Sequence, residues 1–463
     1  MSNDISKVVS NLYKKQKDFF ASQITKTNAF RIQKLKSLRK EINARELEIH
    51  EALKQDMRKP TFEAMTSETV LVDKELSLMI KMLPLWNKTR RAKSSLINFP
   101  SKDYIKPEPY GNTLMISPWN YPFQLAITPL IGAVAAGNTV VLKPSEYAPH
   151  TSGVIKKIIR NIFDSGHVSV LEGDSTVASE LLKKRWDFIM FTGSTRVGKI
   201  IAKAAALHLT PTTLELGGKS PCVVDDSAPI GITAKRIVWG KFLNCGQTCI
   251  APDYLLVNEK IKSKLVTAIT KEIERAFGKN QKKSDDYGRI AHVNHFNKLK
   301  TAIKGEQIIY GGETEEKSLY FSPTLVENIS KESVLMKEEI FGPVLPIISY
   351  DKESEIHYFL KSQERPLAFY VFSKRNKFIN QLFNRYSFGG GVANDSIIQF
   401  ANDNLPFGGI GQSGMGAYHG KYSFKNFSHE KPFIKRSFWF DIPGRYAPYP
   451  KSLSLLKFLL KNI

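Results

Sequence analysis

The chain has 463 residues, of which 42% are hydrophobic and 24% are charged. Its length exceeds the roughly 250–300 residues at which a single hydrophobic core stops growing, so we expect two or more domains. This ordinary globular composition excludes disordered, collagen-like and low-complexity proteins. Three cysteines are too few for a disulfide scaffold, so the sequence predicts free thiols and a reducing compartment, the cytoplasm.

The basic charge of the chain is concentrated at its two ends. The formal net charge is +23, with +9 in residues 1–100 and +7 in residues 421–463. Such an excess is typical of proteins that bind nucleic acid or an anionic membrane. No RNA-binding, zinc-finger or helix-turn-helix motif accompanies it, so a solvated basic surface is favoured and no nucleic-acid partner is expected. No apolar stretch has the length of a signal peptide or a membrane span.

The predicted elements begin with helices. In residues 28–59, apolar side chains recur at helical spacing among many charges, which predicts an amphipathic helical region. Residues 101–116 predict two strands separated by a proline-containing turn. Strands and helices then alternate, with strands in NTVVLKPS, HVSVLEG, DFIMFTG and TTLELGG and helices over residues 149–163, 177–184 and 197–207.

This alternation is typical of a doubly wound parallel sheet. A second alternating region over residues 220–414 predicts another sheet of the same kind. The predicted fold class is therefore α/β, with two doubly wound parallel-sheet domains.

Residues 191–199, FTGSTRVGK, place a glycine-containing turn between an apolar strand and a helix. Backbone N–H groups at the start of a helix favour a phosphate there. The segment departs from a Walker A motif, because Ile200 stands where a magnesium-binding Ser or Thr is required. A phosphate site and an ordinary tight turn both remain open interpretations.

A formal GxGxxG pattern occurs at Gly409, Gly411 and Gly414. No apolar strand precedes it and no helical pattern follows it, so it lacks the context of a dinucleotide-binding fingerprint. We expect a mobile or closely packed loop near a site.

Residues 242–252, FLNCGQTCIAP, contain the candidate nucleophile Cys249. An isolated buried cysteine is usually inert packing, but Gly246 would allow the backbone to approach a substrate closely. A thiolate that attacks a carbonyl also needs an oxyanion donor and a base that activates water. Asn120, in the loop after the strand TLMI, is a candidate donor. Glu215, at a strand end in an apolar run, is a candidate base, because burial would raise its pKa into a useful range.

The nine histidines form no HExxH motif. His292 and His295 make a lone HxxH pattern, which we expect on a solvated helix face with no third ligand nearby. The sequence therefore predicts no metal centre.

Seven motifs occur together in one order: SPWNYP, VLKPSE, FTGSTRVG, LELGGKSP, NCGQTCIAP, EEIFGPV and LPFGG. In this combination the chain resembles the aldehyde dehydrogenase superfamily over nearly its whole length. CIAPDY and SGMGAYHGKYSFKNFSH resemble the class 3 branch, which includes fatty and aromatic aldehyde dehydrogenases. The resemblance implies NAD(P)-dependent oxidation of aldehydes, expected to be medium- or long-chain or otherwise lipophilic, to carboxylic acids through a cysteine thiohemiacetal and a thioester.

The resemblance also implies roles for individual residues. Cys249 would be the nucleophile, Glu215 the general base, and Asn120 the oxyanion donor together with the backbone N–H of Cys249. The implied cofactor-binding residues are Trp119, Lys143 and Glu146 (the last two at the adenosine ribose), Gly193, Ser194, Thr195, Arg196, Val197 and Gly198 (at the pyrophosphate), Glu339 (at the nicotinamide ribose) and Phe341 (at the nicotinamide ring).

The family fold implies three parts and a homodimer. The small antiparallel part would contain a hairpin over residues 101–113. The expected divisions are a dinucleotide-binding domain over residues 1–98 and 114–217, a catalytic domain over 218–420, and bridging or oligomerisation segments over 99–113 and 421–442.

Two alternative functions remain open. A thioester-forming dehydrogenase or reductase would use coenzyme A, which Glu215 disfavours because that base serves a deacylating water. A basic protein that binds membranes or nucleic acid would show salt-sensitive binding without turnover.

Residues 443–463 are predicted to form a proline-rich linker and a short amphipathic helix that is too short to cross a bilayer. Packing on this or a partner subunit, peripheral contact with an anionic membrane, and capping of an apolar substrate funnel are the three open roles. The apolar face would comprise Leu453, Leu456, Leu460 and Ile463, widened by Leu455 and Leu459, with Ser454, Lys457 and Lys461 opposite.

Overall fold

A computed structural model describes residues 2–95, 98–441 and 445–449, together with residues 453, 454, 457 and 461. Helices form the first part of the chain. The region predicted to be helical over residues 28–59 is divided into two helices. The helices are α1 (Ser2–Ala21), α2 (Asn28–Ala44), α3 (Glu46–Met57), α4 (Thr61–Ala64) and α5 (Val70–Trp86), with a π-helical turn, Met65–Thr69, between α4 and α5.

Strands and helices then alternate as the sequence predicts. The elements are β1 (Arg90–Ala92), β2 (Ser101–Pro109), β3 (Asn112–Ile116), α6 (Gln124–Ala136), β4 (Thr139–Lys143), α7 (Pro149–Ile162), β5 (Val168–Val170), α8 (Ser175–Leu182), β6 (Phe188–Thr192), α9 (Thr195–Ala206) and β7 (Thr212–Glu215).

Strands β3 to β7 form a parallel sheet in the order β5-β4-β3-β6-β7. The chain winds outward from β3 in one direction and from β6 in the other, so the winding reverses between these two strands. Ligands of doubly wound sheets bind outside the carboxyl ends of the strands at such a reversal. The loop after β3 carries Asn120 and the turn after β6 carries Gly193, so both predicted site segments lie at this crevice.

A second sheet follows, in the order β10-β13-β14-β9-β8-β15-β16, parallel except for the β10–β13 pair. A short hairpin, β11 with β12, stands apart from it. The elements are β8 (Pro221–Val224), α10 (Ile230–Phe242), β9 (Tyr254–Asn258), α11 (Glu259–Phe277), α12 (Val293–Ala302), β10 (Gln307–Tyr310), β11 (Thr314–Glu315), β12 (Tyr320–Phe321), β13 (Thr324–Glu327), α13 (Val334–Lys337), β14 (Val344–Tyr350), α14 (Glu353–Lys361), β15 (Ala368–Phe372), α15 (Asn376–Arg385) and β16 (Gly390–Ala393).

The chain then returns to the first part of the molecule through β17 (Gly414–Met415), α16 (Lys421–Asn426) and β18 (Ser428–Arg436). Strand β18 pairs antiparallel with all nine residues of β2, and β1 pairs with the other edge of β2. The predicted hairpin over residues 101–113 is wrong, because β2 and β3 belong to different sheets. The run in β3 is buried along nearly its whole length, as in a parallel strand, whereas β2 is partly exposed.

Helix α6 explains the most apolar segment of the sequence. All thirteen of its residues are buried, and it packs against α2, α5, α16 and the first sheet. It is a core helix, although Pro129 lies within it. No helix in the described ranges is long and apolar enough to cross a membrane.

The predicted C-terminal amphipathic helix lies largely outside the described residues. Ser454, Lys457 and Lys461 are described as helical and exposed. The role of this segment stays a prediction.

Candidate active site

A cleft of about 1320 Å³ opens at the carboxyl ends of β3 and β6. Twelve of the residues predicted for the site line it. They are Trp119, Asn120, Glu146, Gly193, Ser194, Thr195, Arg196, Val197, Glu215, Cys249, Glu339 and Phe341. The two that do not line it are Lys143, which is ion-paired with Glu146, and Gly198, which packs against Leu216.

A second cavity, of about 630 Å³, is lined by the same cysteine. Its walls are largely apolar and include Phe62, Leu71, Val238, Trp239, Phe277, Ile397, Phe400, Phe407 and Tyr418. Both cavities are lined by Cys249 and Glu215. A polar cleft and an apolar cavity therefore meet at the thiol and the carboxyl.

The loop that carries Cys249 follows α10 through a short turn with unusual backbone angles. Asn244 and Cys245 have φ values of 54° and 55°. Gly246 has a φ of 73°, and a Cβ atom there would lie 2.4 Å from the carbonyl oxygen of Gly342. The sequence interpretation of Gly246 as a point of substrate approach is wrong, because this glycine lets the loop pack against the backbone near Phe341.

The three cysteines differ in access. Cys222 and Cys245 are buried, whereas Cys249 is half-buried and lines both cavities. Burial, followed by the carboxyls of Glu339 and Glu215, raises the pKa of the Cys249 thiol above its usual range. The backbone N–H groups of Cys249 and Ile250 oppose this rise in pKa in part. The thiol at the meeting point therefore needs a proton acceptor before it can act as a nucleophile.

Asn120 is buried in the loop between β3 and α6. Its side-chain Nδ2 donates to the carbonyl oxygen of Gln247 at 3.0 Å. An amide group has two N–H donors, so one remains for a ligand. The backbone carbonyl of Asn120 accepts from Asn244 Nδ2 at 2.8 Å, which ties the loop to the segment preceding Cys249.

Glu215 is the last residue of β7 and is fully enclosed. Within the described part of the chain, neither of its carboxyl oxygens has a hydrogen-bond partner. Burial raises the pKa of Glu215 well above its usual value. A carboxyl group of this kind can take a proton from water or from a thiol near neutral pH.

The start of α9 is suited to a phosphate group. Ser194 caps the helix by accepting from the backbone N–H of Val197, at 3.4 Å. The hydroxyl of Thr195 donates to the carbonyl of Gln412, at 3.1 Å. At Gly198, a Cβ atom would approach Leu216 to 2.6 Å, so the glycine permits close packing of helix and strand. The polar cleft with backbone N–H donors fits a dinucleotide cofactor.

At the other end of the cleft, the Glu339 side chain lies over Gly217. A Cβ atom on Gly217 would lie 1.8 Å from a carboxyl oxygen of Glu339. Burial raises the pKa of Glu339 to about 8. Phe341 has a left-handed φ of 53°. This aromatic ring packs edge-on against Trp119, with ring centroids 5.3 Å apart.

The two histidines are placed differently from the sequence expectation. They line the cleft half-buried, so the predicted solvated helix face is wrong. His292 caps α12 and stacks on Tyr147, and His295 Nε2 lies 2.8 Å from the carbonyl oxygen of Phe341. Burial lowers the pKa of His295 to about 4. Spacing along a helix does not reveal which face a neighbouring loop covers. The HxxH pattern alone therefore could not predict the burial of these histidines.

The glycine-rich segment of residues 408–416 is a closely packed loop beside the site, as the sequence predicts. At Gly409, a Cβ atom would lie 2.1 Å from the carbonyl oxygen of Ser413. Gly414 pairs with Glu215 at the edge of the first sheet, and Gln412 lines the cleft.

Three polar residues of the N-terminal helical region also reach the site, and sequence reasoning missed them. Lys59 and Glu68 form a buried ion pair next to the Asn120 loop. Glu63 accepts from the backbone N–H of Asn244 at 3.0 Å, and burial raises its pKa to about 7. Lys59 lies between two helices and the glutamates lie in short helical turns, and no motif separates these charged residues from solvated ones.

Comparisons with known proteins identify the family of the chain. The profile of the aldehyde dehydrogenase family matches residues 2–433. The 4,4'-diaponeurosporen-aldehyde dehydrogenase of Staphylococcus aureus (strain NCTC 8325 / PS 47) is 43% identical, over 98% of this chain and 100% of the relative. Aldehyde dehydrogenase family 3 member A2 of Mus musculus is 42% identical, over 95% of this chain and 92% of the relative. A solved structure, the substrate-bound state of Staphylococcus aureus AldH, has a TM-score of 0.95 and 42% identity, over 98% of this chain and 99% of that one.

Proposed function

This chain belongs to the aldehyde dehydrogenase family, and from that premise we propose which of its residues perform the reaction and which aldehydes it takes. It catalyses NAD(P)-dependent oxidation of aldehydes to carboxylic acids. The observation that carries the residue assignment is the meeting of the polar cleft and the apolar cavity at Cys249 and Glu215. Cofactor and aldehyde can thus reach one thiol through two different cavities.

Cys249 is the nucleophile of the proposed mechanism. Its sulfur forms a bond to the aldehyde carbon, the thiol proton leaves to a base, and the carbonyl oxygen takes the negative charge. Water in the cavities that Cys249 lines is the base that takes this proton, so Glu215 stays free for the later hydrolysis. Bound NAD(P)⁺ supplies the hydride acceptor. Loss of hydride from the adduct leaves an acyl thioester on Cys249.

Asn120 holds the developing oxyanion with its free amide N–H, together with the backbone N–H of Cys249. The loop network around Gln247 and Asn244 keeps this donor in place before the substrate arrives. Preorganised donors of this kind cost no reorganisation at the moment of reaction.

Glu215 then removes a proton from water, and the resulting oxygen nucleophile attacks the thioester. The C–S bond of the tetrahedral adduct then breaks, the carboxylic acid leaves, and the proton held by Glu215 returns to the Cys249 sulfur. This role disfavours the coenzyme A alternative, because acyl transfer to a second thiol does not need a base that activates water. A buried carboxyl without hydrogen-bond partners in the described structure has its pKa raised toward the range useful for a base.

The cofactor would lie along the cleft from α9 to Phe341. The turn from Gly193 to Gly198 would hold the pyrophosphate, with Ser194 as hydroxyl donor. Lys143 and Glu146 would bind the adenosine ribose. Glu146 lines the cleft, and Lys143 would hold its carboxylate in place through their ion pair. The remaining assignments are Trp119, Thr195, Arg196 and Val197 along the cleft, Glu339 at the nicotinamide ribose and Phe341 at the nicotinamide ring.

The substrates are medium- or long-chain aliphatic or otherwise lipophilic aldehydes. The cavity that leads to Cys249 is walled by aromatic and aliphatic side chains, including Trp239, Phe400 and Phe407. Burial of apolar substrate surface there contributes roughly 25 cal/mol per Å². The Staphylococcus aureus relative is named for diaponeurosporen-aldehyde, which agrees with a lipophilic substrate.

The test is a panel of straight-chain aldehydes of increasing length, with NAD(P)H absorbance as readout. We expect kcat/KM to rise with chain length and to be the same with and without coenzyme A. A flat profile would contradict the lipophilic substrate class. Turnover that requires coenzyme A, with an acyl-coenzyme A product, would contradict hydrolysis through Glu215.

The quaternary structure and the division of the chain are part of the same proposal. A homodimer would cover the exposed apolar side chain of Ile434 on β18, and sedimentation equilibrium tests it. The domain boundaries are those expected from the family fold, with residues 1–98 and 114–217 for the cofactor and 218–420 for catalysis. Location in the cytoplasm and peripheral membrane contact remain predictions.

A further inference from the structure

Lys59 and Glu68 form an ion pair that is completely buried beside the Asn120 loop, with both side chains 0% exposed. Lys59 precedes α4, and Glu68 lies in the π-helical turn that follows it. Taking two charges out of water is costly, and a buried ion pair is weak evidence for stability. π-helical turns occur frequently at functional sites. The contacts of the pair with neighbouring loops therefore indicate what it does.

Its contacts lie on both sides of the turn that presents Asn120. The Lys59 ammonium donates to the backbone carbonyl of Asn120 at 3.2 Å and lies 4.2 Å from the ring centre of Tyr121. One carboxylate oxygen of Glu68 accepts from Lys59. The other accepts from the backbone N–H groups of Phe123 and Gln124, at 2.9 and 3.1 Å. The pair thus holds the loop from Asn120 to the start of α6.

The carbonyl of Asn120 is where three parts of the molecule meet. It accepts from Lys59 of the N-terminal region and from Asn244 Nδ2 of the nucleophile loop. The side-chain amide of the same residue donates to Gln247. These contacts hold in place the backbone that carries the Asn120 amide.

We propose that Lys59 and Glu68 are positioning residues that set the amide of Asn120 for the oxyanion, an inference that rests on the proposed role of Asn120. A donor must lie close to the position that the oxyanion will occupy. A displacement of 1 Å at a reacting centre can cost about 100-fold in rate. The pair acts through Asn120 and does not touch the substrate.

The test uses the full-length enzyme and the single-turnover rate of NADH formation at saturating cofactor and aldehyde. Lys59→Met keeps an unbranched side chain that is one atom shorter and removes its donor, and we expect the rate to fall about 10- to 100-fold. The dissociation constant of NAD⁺, from fluorescence titration, should change less than about twofold.

The double variant K59M/E68Q separates placement from folding. It removes both buried charges and keeps an oxygen that can accept from Phe123 and Gln124. We expect it to recover the thermal stability lost in K59M without recovering the rate. Recovery of the rate together with stability would overturn the proposal in favour of a purely structural pair.

A double-mutant cycle shows whether the effect passes through Asn120. If it does, N120A and K59M/N120A should have equal rates, because the donor that Lys59 positions is already absent. Additive losses in K59M and N120A would overturn the positioning role. A loss below about threefold in N120A alone would instead contradict the oxyanion assignment, so the two failures are distinguishable.

Arg31 supplies a matched control. It is a buried cation of α2 that donates to the carbonyl of Ala135, near the far end of α6, at 3.1 Å. Arg31→Met should lower the melting temperature and leave the single-turnover rate of the folded enzyme within about twofold. An equal rate loss in R31M would show that any damage to the N-terminal helices impairs catalysis, and would overturn the specific role of Lys59.

Discussion

The backbone of Glu215 pairs in register with that of Gly414, in the antiparallel contact between β7 and β17. Gly414 has a φ of 154°, and a Cβ atom there would lie 2.4 Å from the carbonyl oxygen of Leu214. The glycine-rich loop therefore fixes the strand end that carries the proposed base. This contact gives the loop a function that its sequence pattern does not reveal.

The first prediction concerns Glu215. Glu215→Gln removes the base but keeps the size of the side chain, so acylation should stay fast while hydrolysis of the thioester slows by about 10²–10⁴-fold. Stopped-flow absorbance should show a burst of NADH followed by a stalled steady state. Gly414→Ala should give a milder form of the same behaviour. A slow hydride step with no burst would instead assign Glu215 to activation of the thiol.

The second prediction separates the cysteines. Cys249→Ser should abolish dehydrogenase activity, because a serine hydroxyl is a far weaker nucleophile without a strong base. Cys245→Ser is the matched control, since its Sγ contacts the hydroxyl of Tyr287 in the core at 3.4 Å and a serine can keep that contact. Steady-state rates and thermal melts check both. A folded C245S enzyme as inactive as C249S would disprove the nucleophile assignment.

The third prediction concerns pH. The raised pKa of the Cys249 thiol means that its alkylation by iodoacetamide, without cofactor, should accelerate about tenfold per pH unit between pH 7 and 9. The pKa of Glu339 is about 8, so this carboxyl is mostly uncharged at pH 7 and becomes negative above pH 8. E339Q should therefore match the wild type at pH 7 and react faster at pH 9. Equal rates at both pH values would exclude the influence of Glu339 on the thiol.

The same shift predicts a change in stability. Glu339 binds its proton more tightly in the folded state, so its contribution to folding is greatest below pH 4.5 and is lost as the pH rises to about 8. E339Q should therefore lose less stability than the wild type between pH 5 and 8. Denaturant unfolding at several pH values measures this difference, and parallel curves would contradict it.

The parts of the fold that the sequence predicts are those with a local signal. Apolar runs separated by amphipathic segments locate strands and helices of the first parallel sheet and the region of the second. Asn120 and Cys249 lie in loops and Glu215 lies at a strand end, as the sequence predicts. The prediction of a hairpin over residues 101–113 is wrong because pairing partners can be nonlocal. Strand β2 pairs with β18, more than 300 residues away in sequence.

The sequence did not reveal several polar residues of the site for a different reason. A lysine such as Lys59 has the same appearance in a solvated helix and in a buried ion pair. Lys59 is buried where it contacts Glu68, the carbonyl of Asn120 and the ring of Tyr121. His295 is likewise recognised by its contact with Phe341 and not by its spacing. Tertiary contacts decide which members of an amphipathic pattern are functional.

The fourth prediction concerns cofactor choice. The class 3 resemblance implies use of both NAD⁺ and NADP⁺. Glu146 is exposed at the cleft and ion-paired with Lys143, so its carboxylate would repel a ribose 2′-phosphate unless it swings away. Glu146→Gln should improve the affinity for NADP⁺ more than that for NAD⁺, as measured by fluorescence titration. An equal change for both cofactors would remove Glu146 from the discrimination.

The last prediction concerns residues 451–463, which carry the predicted amphipathic helix. Phe438 and Trp439, shortly before it in sequence, are 106% and 71% exposed, and exposed aromatic residues near lysines are typical of membrane interfaces.

Truncation after Pro450 separates the three open roles. If the segment caps the substrate cavity, its loss should reduce kcat/KM for long-chain aldehydes far more than for short ones, because each buried CH₂ contributes up to about 0.8 kcal/mol. If it lies on a membrane, co-sedimentation with anionic liposomes should disappear both on truncation and at high salt. An unchanged chain-length profile, with no liposome binding before or after truncation, leaves packing against a subunit as its role, and then the truncated enzyme should melt at a lower temperature.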